Sequence, residues 1–455
     1  MYTHKLGLGG TFIISAFIGF SLFLAITAHA ATVLHVDNTV TCDNATVDSS
    51  VTPFCTISAA VTAATAGDTI QVAAGTYNES VVIDKTLTLQ GAQQGVDART
   101  RSASESVING TSPIAIMADN VVIDGFTIQG SDSSSFISGI WDNPSYSGTH
   151  GGFQILNNII QNNVSGIGVG NDGTIQALVE YNLIKNNNTA GPGSGNGFSA
   201  AFETKNVVIS YNTFDNNQLY VNGFESSGST GVQNVTVSYN EVENVSSSGF
   251  FLMGASGMTL SDNDIHDNAG NGLSMAGAVD STTISGSTFK NNTGYGVKVS
   301  DDYTVGANSN ISVQTSDIEA NTLGGLLVDV GTYTGTLDAS QNWWGALSGP
   351  ANATTNLSGT GNSVSDGVTF KPWYIDSGLT TLSNAAPTID TFTILGDGTV
   401  DQGTKTVAVT VAYGTDVTAL TPTFTFTGSS VSPNSGVVNN FSTPQIYPRI
   451  LSTAR

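Results

Sequence analysis

The sequence predicts an all-β chain, most of which winds into a right-handed parallel β-helix with three sheets in each coil. Three observations predict this fold. Glycine supplies 52 of the 455 residues and only 10% of residues are charged, a composition that disfavours long helices. A turn position flanked by apolar residues recurs through the central part of the chain. Asparagine occupies that position again and again.

The repeat extends from about Val121 to Trp344, with units of 23 to 32 residues. Each unit contains short stretches of alternating apolar and polar residues, which are typical of a strand with one face turned inward. Units of this size bury a continuous core only by stacking. Leucine-rich repeats have a similar period, but their several leucines and helical segment per unit are missing. The turn position falls on Phe126, Asn158, Asn182, Asn212, Asn240, Asn263, Ser287, Ser316 and Asn342.

We interpret the recurring asparagines as structural residues. When coils stack in register at ~4.8 Å, equivalent amides can hydrogen-bond along the stack and satisfy turn backbone that would otherwise be buried unpaired. The sequence therefore predicts two asparagine ladders, the second four residues after the first. The first ladder contains Asn158, Asn182, Asn212, Asn240 and Asn263, and the second contains Asn162, Asn186, Asn216, Asn244 and Asn291.

A third recurring position, a glycine before an apolar residue, follows each turn and marks entry into a third strand. These pairs are Gly139-Ile140, Gly166-Ile167, Gly197-Phe198, Gly223-Phe224, Gly249-Phe250, Gly272-Leu273, Gly296-Val297 and Gly325-Leu326. With the apolar residue of each pair turned inward, the next residue points outward. The predicted outward row is Trp141, Gly168, Ser199, Glu225, Phe251, Ser274, Lys298 and Leu327.

Both ends of the repeat resemble a known family. Residues 56–61, 67–72, 75–79 and 87–91 resemble the first turns of secreted β-helix proteins of the pectin-lyase-like superfamily, and 342–345 with 368–373 resemble their closing coils. Ile57, Ala60, Val61 and Ala64 form one apolar helical face, which suits a helix that covers the open end of the stack. The resemblance implies the fold. It leaves the chemistry open, because this superfamily includes lyases, hydrolases, isomerases and non-catalytic surface proteins.

The first thirty residues are interpreted as a secretory signal peptide. His4 and Lys5 precede an apolar run over 11–27, and 28–30 have the small-x-small form of a cleavage site. An uncleaved membrane anchor is the alternative interpretation. Export predicts an extracellular or cell-surface protein, in which Cys42 and Cys55 form a disulfide rather than remain free thiols.

The chain divides into segments of different pattern. We expect a signal peptide at 1–30, then an N-terminal strand, cysteine loop and capping helix at 31–67, the parallel β-helix at 68–376 and a linker at 377–387. Residues 388–455 alternate as half-buried strands and resemble the small immunoglobulin-like modules of bacterial surface proteins. These roughly 70 residues fall short of the ~100 of such a sandwich, so we expect an incomplete module with a truncated or frame-shifted end.

The charge balance excludes one class of partner and restricts another. Twelve Lys and Arg against 35 Asp and Glu give a net charge of −23, and no arginine occurs between Ser102 and Pro448. Nucleic-acid binding needs a surplus of cations on one face and is therefore excluded. Because an acidic surface repels polyuronates, the expected partner is a neutral glycan or a cation-bridged polysaccharide. We expect a monomer that meets a membrane only through its signal peptide.

Lys298 is the best candidate for catalysis. The resemblance implies a lyase mechanism in which Arg or Lys removes a proton beside a uronate carboxylate, with calcium neutralising the acid. Lys298 points outward if Val297 and Val299 point inward, and Asp301 and Asp302 lie close by as ligands for calcium or substrate. The alternative is a surface ion pair, which contributes ~0–1 kcal/mol. The segment 262–267 is a weaker calcium candidate, with three aspartates.

The outward row also predicts a ligand-binding surface. Trp141 and Phe251 place aromatic side chains among the polar residues of this row. Glu225 belongs to the same row, and Tyr146 and Tyr303 lie in neighbouring loops. Such a surface suits stacking on sugar rings better than it suits acid-base chemistry, unless neighbouring loops cover the rings.

Three functions therefore stay open from the sequence. The first is glycan recognition or adhesion through the elongated face, without turnover. The second is a polysaccharide lyase, which the residues favour over a glycoside hydrolase. The third is a structural spacer on the cell surface.

Overall fold

The computed structural model describes residues 30–45, 51–132, 138–142, 150–200, 203–223, 231–383, 388–396, 398–401, 406–427 and 435–442. Three parallel sheets, here called A, B and C, follow one another in the successive central coils of the described chain and form a right-handed β-helix. The predicted fold class is confirmed.

Sheet A is the longest of the three, because it extends beyond the other two at both ends of the β-helix. It has 15 strands in the described part of the chain, and two of its coils contribute two short strands each, which pair with one longer neighbour. Its strands are Val33–Val36, Thr69–Val72, Thr88–Gln90, Val122–Asp124, Gln154–Leu156, Ala177–Glu180, Thr204–Ser210, Val232–Ser238, Ala255–Ser256, Thr259–Ser261, Asp280–Ser285, Asn308–Gln314, Tyr333–Thr334, Leu337–Asp338 and Val368–Thr369.

Sheets B and C each have ten strands among the residues that the structure describes. Sheet B consists of Gly75–Tyr77, Ser106–Asn109, Phe126–Gln129, Ile159–Gln161, Leu183–Lys185, Thr213–Asp215, Glu241–Glu243, Asp264–His266, Thr288–Lys290 and Asp317–Glu319. Sheet C consists of Val81–Ile83, Ile114–Ile116, Ser138–Trp141, Ser165–Gly168, Asn196–Ala200, Gln218–Asn222, Phe250–Met253, Leu273–Met275, Tyr295–Val299 and Gly324–Val328.

The apolar residues of all three sheets meet in one continuous core. In a typical coil Ile284 from sheet A, Phe289 from sheet B and Val297 from sheet C are fully buried. Full burial of each such side chain stabilises the fold by ~1.5–3 kcal/mol. Alternation along each strand then leaves the intervening residues on the outside, where they form rows.

The first predicted asparagine ladder is present. The amide oxygen of Asn182 accepts from the backbone N–H of Asn158 at 2.8 Å, and that of Asn212 accepts from Asn182 at 3.0 Å. Each side chain also donates to a backbone carbonyl of the preceding coil, as Asn212 does to Val179 at 2.8 Å. The ladder continues through Asn240, Asn263, Ser287 and Ser316 to Asn342.

The second ladder was predicted one residue too early. Asn162, Asn186, Asn216, Asn244 and Asn291 have positive φ values between 53° and 58°, which lie in the left-handed region that asparagine tolerates. The residue after each of them points inward. The buried ladder is therefore formed by Asn163, Asn187 and Asn217, and by Asn268, Asn292, Asn321 and Asn362.

Val245 interrupts this second ladder. It occupies the equivalent position between Asn217 and Asn268, and its backbone N–H donates to the Asn268 side chain at 3.0 Å. Its own side chain offers no amide. The Asn217 amide instead donates to two backbone carbonyls, those of Asn187 and Gly195.

The predicted capping helix spans Ile57–Ala63, with Ile57, Ala60 and Val61 buried. The side chain of Thr56 caps its first turn by accepting from the backbone N–H of Ala59 at 3.3 Å. Before the helix, the predicted disulfide between Cys42 and Cys55 is formed. Among the described residues, no helix has the length and apolar character needed to cross a membrane.

Two small antiparallel sheets follow the β-helix in the chain. Thr388–Thr393 pairs with Thr423–Thr427, and Thr399–Asp401 pairs with Thr406–Ala408. Phe392, Ile394 and Phe424 form a small core of their own. Residues 1–29 of the predicted signal peptide, 384–387 of the predicted linker and the tail from 443 lie outside the described residues. The immunoglobulin-like character of the module, its incompleteness and all domain boundaries remain predictions.

Replacing Asn212 by alanine should destabilise the β-helix by about 2–5 kcal/mol. Asn212 is 0% exposed, so its loss leaves buried donors and acceptors on both neighbouring coils without partners. Urea or thermal denaturation measures the change. The matched control is Asn216→Gly, at a nearby left-handed position outside the buried ladder, and it should shift stability by less than about 1 kcal/mol. Equal losses in both variants would contradict the structural role of the ladder.

Candidate functional site

Sheet C carries three of the side chains that the sequence predicts to contact ligand, namely Trp141, Phe251 and Lys298. Parallel pairing places seven of the eight predicted members of its outward row in register. The observed row is Trp141, Gly168, Ser199, Tyr220, Phe251, Ser274, Lys298 and Leu327.

The predicted place of Glu225 in this row is wrong, because Tyr220 takes it. The strand of that coil is Gln218–Asn222, in which Leu219 and Val221 are buried and Tyr220 points outward. Gly223, which the sequence places at the start of the strand, comes after it instead. Glu225 itself and Tyr146 lie outside the described residues. The alternation Leu219-Tyr220-Val221 was the signal that could have identified the strand.

Tyr220, Phe251 and Tyr303 form an aromatic patch on the outer surface of sheet C. The rings of Tyr220 and Phe251 stack with centroids 5.1 Å apart and planes 11° from parallel. Tyr303 meets Phe251 edge to face at 6.0 Å and is 58% exposed. The Asn222 amide donates to the Tyr220 hydroxyl at 2.9 Å and holds the first ring in place.

Lys298 lies on the same row, one strand beyond Ser274. Its ammonium contacts an Asp302 carboxylate oxygen at 3.3 Å and an Asp329 oxygen at 3.5 Å. The Ser300 hydroxyl donates to Asp302 at 3.0 Å, which fixes that carboxylate beside the lysine. The cation is therefore held between two acids at the edge of the aromatic patch.

Asp301 does not join this group. Its carboxylate accepts from the backbone N–H groups of Val305 at 2.8 Å and Gly306 at 3.2 Å, inside its own loop. Asp301 and Asp302, which the sequence pairs as calcium ligands, thus face different partners.

Trp141 is also separate from the patch. It lies four strands from Phe251 along the row, at roughly 19 Å for a spacing of ~4.8 Å. Its indole N–H donates to the Ser112 hydroxyl at 3.0 Å. Trp141 and Lys298 therefore cannot contact one sugar residue together.

A second aromatic group, of which Tyr239 is exposed, lies at the corner between sheets A and B. Tyr181, Tyr211 and Tyr239 stack on successive coils, with centroids 5.0 and 4.8 Å apart. All three have φ values of 55° to 58°. Bulky residues seldom adopt this backbone conformation.

The outer surface of sheet B is acidic, and sequence reasoning missed it. Asp215, Glu241, Glu243, Asp264, Asp317 and Glu319 form this acidic face. The signal was available in the strands Glu241–Glu243, Asp264–His266 and Asp317–Glu319, where two polar residues flank one buried apolar residue. The sequence analysis predicts an outward row for sheet C alone, so it does not indicate that these acidic side chains lie on one face.

Asp317 has the most perturbed environment of this face. Burial raises the pKa of its carboxyl to about 6, and the neighbouring Glu319 adds to the increase. Its Oδ1 atom is buried and accepts no hydrogen bond from the described residues. Lys290, the nearby cation, is paired with Glu319. Asp317 is therefore a carboxyl group that folding keeps protonated to a higher pH than usual.

Sequence comparisons match two parts of the chain to known families. Residues 193–341 match the family described as "Right handed beta helix region", and residues 389–448 match the family described as "SGBP, N-terminal". No curated protein sequence matches the chain at a significant level.

Solved structures resemble the β-helix at low identity. The A-module of the mannuronan C-5 epimerase AlgE6 from Azotobacter vinelandii aligns over 69% of this chain and 93% of its own, with a TM-score of 0.45 and 16% identity. The alginate lyase from Paenibacillus sp. str. FPU-7 aligns over 69% and 96%, with a TM-score of 0.39 and 14% identity. The Dettilon tailspike protein aligns over 82% and 74%, with a TM-score of 0.44 and 13% identity.

Asp317→Asn should remove a pH-dependent loss of stability. Because the folded-state pKa of Asp317 lies near 6 and the ordinary value is 3.8, the stability linked to its protonated form is present below pH 4 and is lost as pH rises through 6. The free energy of unfolding of the asparagine variant minus that of the wild type should therefore increase by about 1–3 kcal/mol between pH 4 and pH 7.

Urea denaturation across pH 4–8 measures this difference. Asp84→Asn is the control for the loss of one aspartate from the surface, since the Asp84 side chain is 63% exposed. A difference between Asp317→Asn and the wild type that does not change with pH would show that folding leaves the titration of Asp317 unchanged.

Proposed function

We propose that this protein recognises a polysaccharide or cell-surface glycan through the aromatic patch of sheet C, without chemical turnover. The observation that carries the proposal is the outward stack of Tyr220 and Phe251 at 5.1 Å, with Tyr303 edge-on beside it. Sugar rings present apolar C–H faces that pack against such rings, while their hydroxyls need polar partners at the margin.

The surroundings of the patch supply those polar partners. Ser274 lies on the same row but is buried, and its hydroxyl is occupied by the Ser248 hydroxyl at 2.8 Å and the Asn271 amide at 2.9 Å, so the polar contacts come from its neighbours. Lys298 follows on the next strand with its two acids. Because successive strands repeat at ~4.8 Å, the row offers a long chain several contacts in a line.

The match of residues 389–448 to "SGBP, N-terminal" supports the same class of function, since that family is named for surface glycan binding. It also supports the proposal that the chain is exported and acts extracellularly or at the cell surface. We propose a monomer, with the glycan as its partner.

The contacts of Lys298 favour binding over a lyase reaction. A catalytic base needs a nitrogen free to take a proton from the substrate, whereas the Lys298 ammonium faces Asp302 and Asp329. The carboxylate of Asp301, the other predicted ligand for calcium or substrate, accepts a hydrogen bond from the backbone N–H of Val305 within its own loop. A spacer would not need the stacked outward rings.

Phe251→Ala should weaken glycan binding about tenfold or more, which corresponds to ~1.4 kcal/mol, because it removes the central ring of the patch. A glycan array on the full chain identifies the ligand, and calorimetry on the best ligand measures affinity. Tyr239→Asn is the matched control, because it removes an exposed ring at another corner and asparagine tolerates its left-handed backbone.

Three results would contradict the proposal. Equal binding by Phe251→Ala and the wild type would place recognition on another surface. Absence of binding across the array would favour the spacer. Release of ultraviolet-absorbing unsaturated sugars from uronate polymers with calcium, abolished in Lys298→Ala, would establish a lyase.

A further inference from the structure

We propose that Glu241, Glu243 and His266, on the outer surface of sheet B, bind one divalent transition-metal ion. One ligand atom from each of the three side chains can be chosen so that all lie within 4.8 Å of one another. The three residues are half-buried, so solvent and metal can reach them. The site is on a different sheet from the aromatic patch and does not depend on glycan recognition.

The parallel register of two strands brings these side chains together. Glu241–Glu243 pairs with Asp264–His266, so that Glu243 lies opposite His266 and Glu241 lies opposite Asp264. Val242 and Ile265, the middle residues, are buried in the core. The residues on either side of them must then point outward, on adjacent coils ~4.8 Å apart.

A further carboxylate orients the imidazole of His266. Its Nδ1 atom lies 2.8 Å from an Asp267 oxygen, so this nitrogen carries the proton of the hydrogen bond. Nε2 then lies 3.7 Å from a Glu241 oxygen and 3.9 Å from an Asp264 oxygen. Metal-binding histidines commonly show this arrangement, in which a carboxylate holds one nitrogen and leaves the lone pair of the other for the ion.

The local charge favours a cation at this place. Asp215 lies opposite Glu243 and Asp264 lies opposite Glu241 in the parallel register, so that four carboxylates repel one another here. The ammonium on the next strand, Lys290, is engaged by Glu319. A divalent ion between Glu241 and Glu243 would remove this repulsion.

The ligand types select the class of metal. One imidazole and two carboxylates form a mixed nitrogen and oxygen set, which suits Zn²⁺ and similar ions, whereas Ca²⁺ takes six to eight oxygen ligands. Three protein ligands leave a coordination position open for water or for a ligand oxygen. The segment 262–267, a calcium candidate from the sequence, contributes His266 as ligand and Asp267 as its positioning residue.

Calorimetric titration of the tag-free, metal-stripped full chain with ZnCl₂ tests the proposal. We expect one site in the wild type, at least tenfold weaker Zn²⁺ binding in His266→Gln and Glu243→Gln, and roughly 10–100-fold weaker binding in Asp267→Asn. His35→Gln is the control, a half-buried histidine on sheet A, and it should bind Zn²⁺ as the wild type does. Circular dichroism confirms that each variant is folded, and anomalous diffraction from a Zn²⁺-soaked crystal locates the ion without any substitution.

The proposal fails if the wild type binds no Zn²⁺, if folded His266→Gln binds it unchanged, or if the anomalous peak lies elsewhere. Binding of Ca²⁺ but not Zn²⁺ would overturn the assigned class of metal. Glycan affinity of the wild type is measured separately, so failure here leaves the recognition proposal untouched.

Discussion

The hydrogen bonds between equivalent amides of successive coils are the constraint on which the rest of this structure depends. In a solenoid each coil contacts only its neighbours, so nothing distant fixes where a strand begins. The first ladder does so locally: each Asn accepts from the backbone N–H of its counterpart one coil earlier, as Asn240 does from Asn212 at 3.0 Å. Once the turns are in register, every outward residue falls into a row.

The fold class could be predicted from the sequence because the residues that hold the coils in register recur in each coil. Asparagine recurs at the turn, apolar residues alternate around it, and each coil confirms the assignment made in the one before. The ambiguity lay within a turn, where two adjacent positions both favour asparagine for different reasons. Asn216 is selected by its left-handed backbone and Asn217 by the buried ladder. Periodicity alone does not separate these two causes.

The candidate sites were less predictable, since they depend on features that occur once. Tyr220 was missed because a glycine after its strand resembled the glycine that opens other strands. Asp301 and Asp302 are adjacent in the chain, yet a loop turns one carboxylate inward and leaves the other beside Lys298. The acidic face could be found only by aligning residues more than twenty positions apart, as Glu243 with His266. Regular spacing in the sequence therefore identifies which side chains form an outward row. The conformation of the loops decides which of those side chains come close enough to form a site.

The interruption of the second ladder at Val245 affects how the coils of the β-helix unfold. At that turn the buried amide ladder is cut between Asn217 and Val245, so these two coils lack one buried amide bond. Strand pairing, the first ladder and a surface hydrogen bond from the Asn244 amide to Asp215 at 2.9 Å still join them. In a nearest-neighbour solenoid, the weakest junction sets where cooperativity divides. Under load or during refolding, we expect the coils before and after this joint to act as two separable cooperative blocks. Amide exchange should spread outward from the joint.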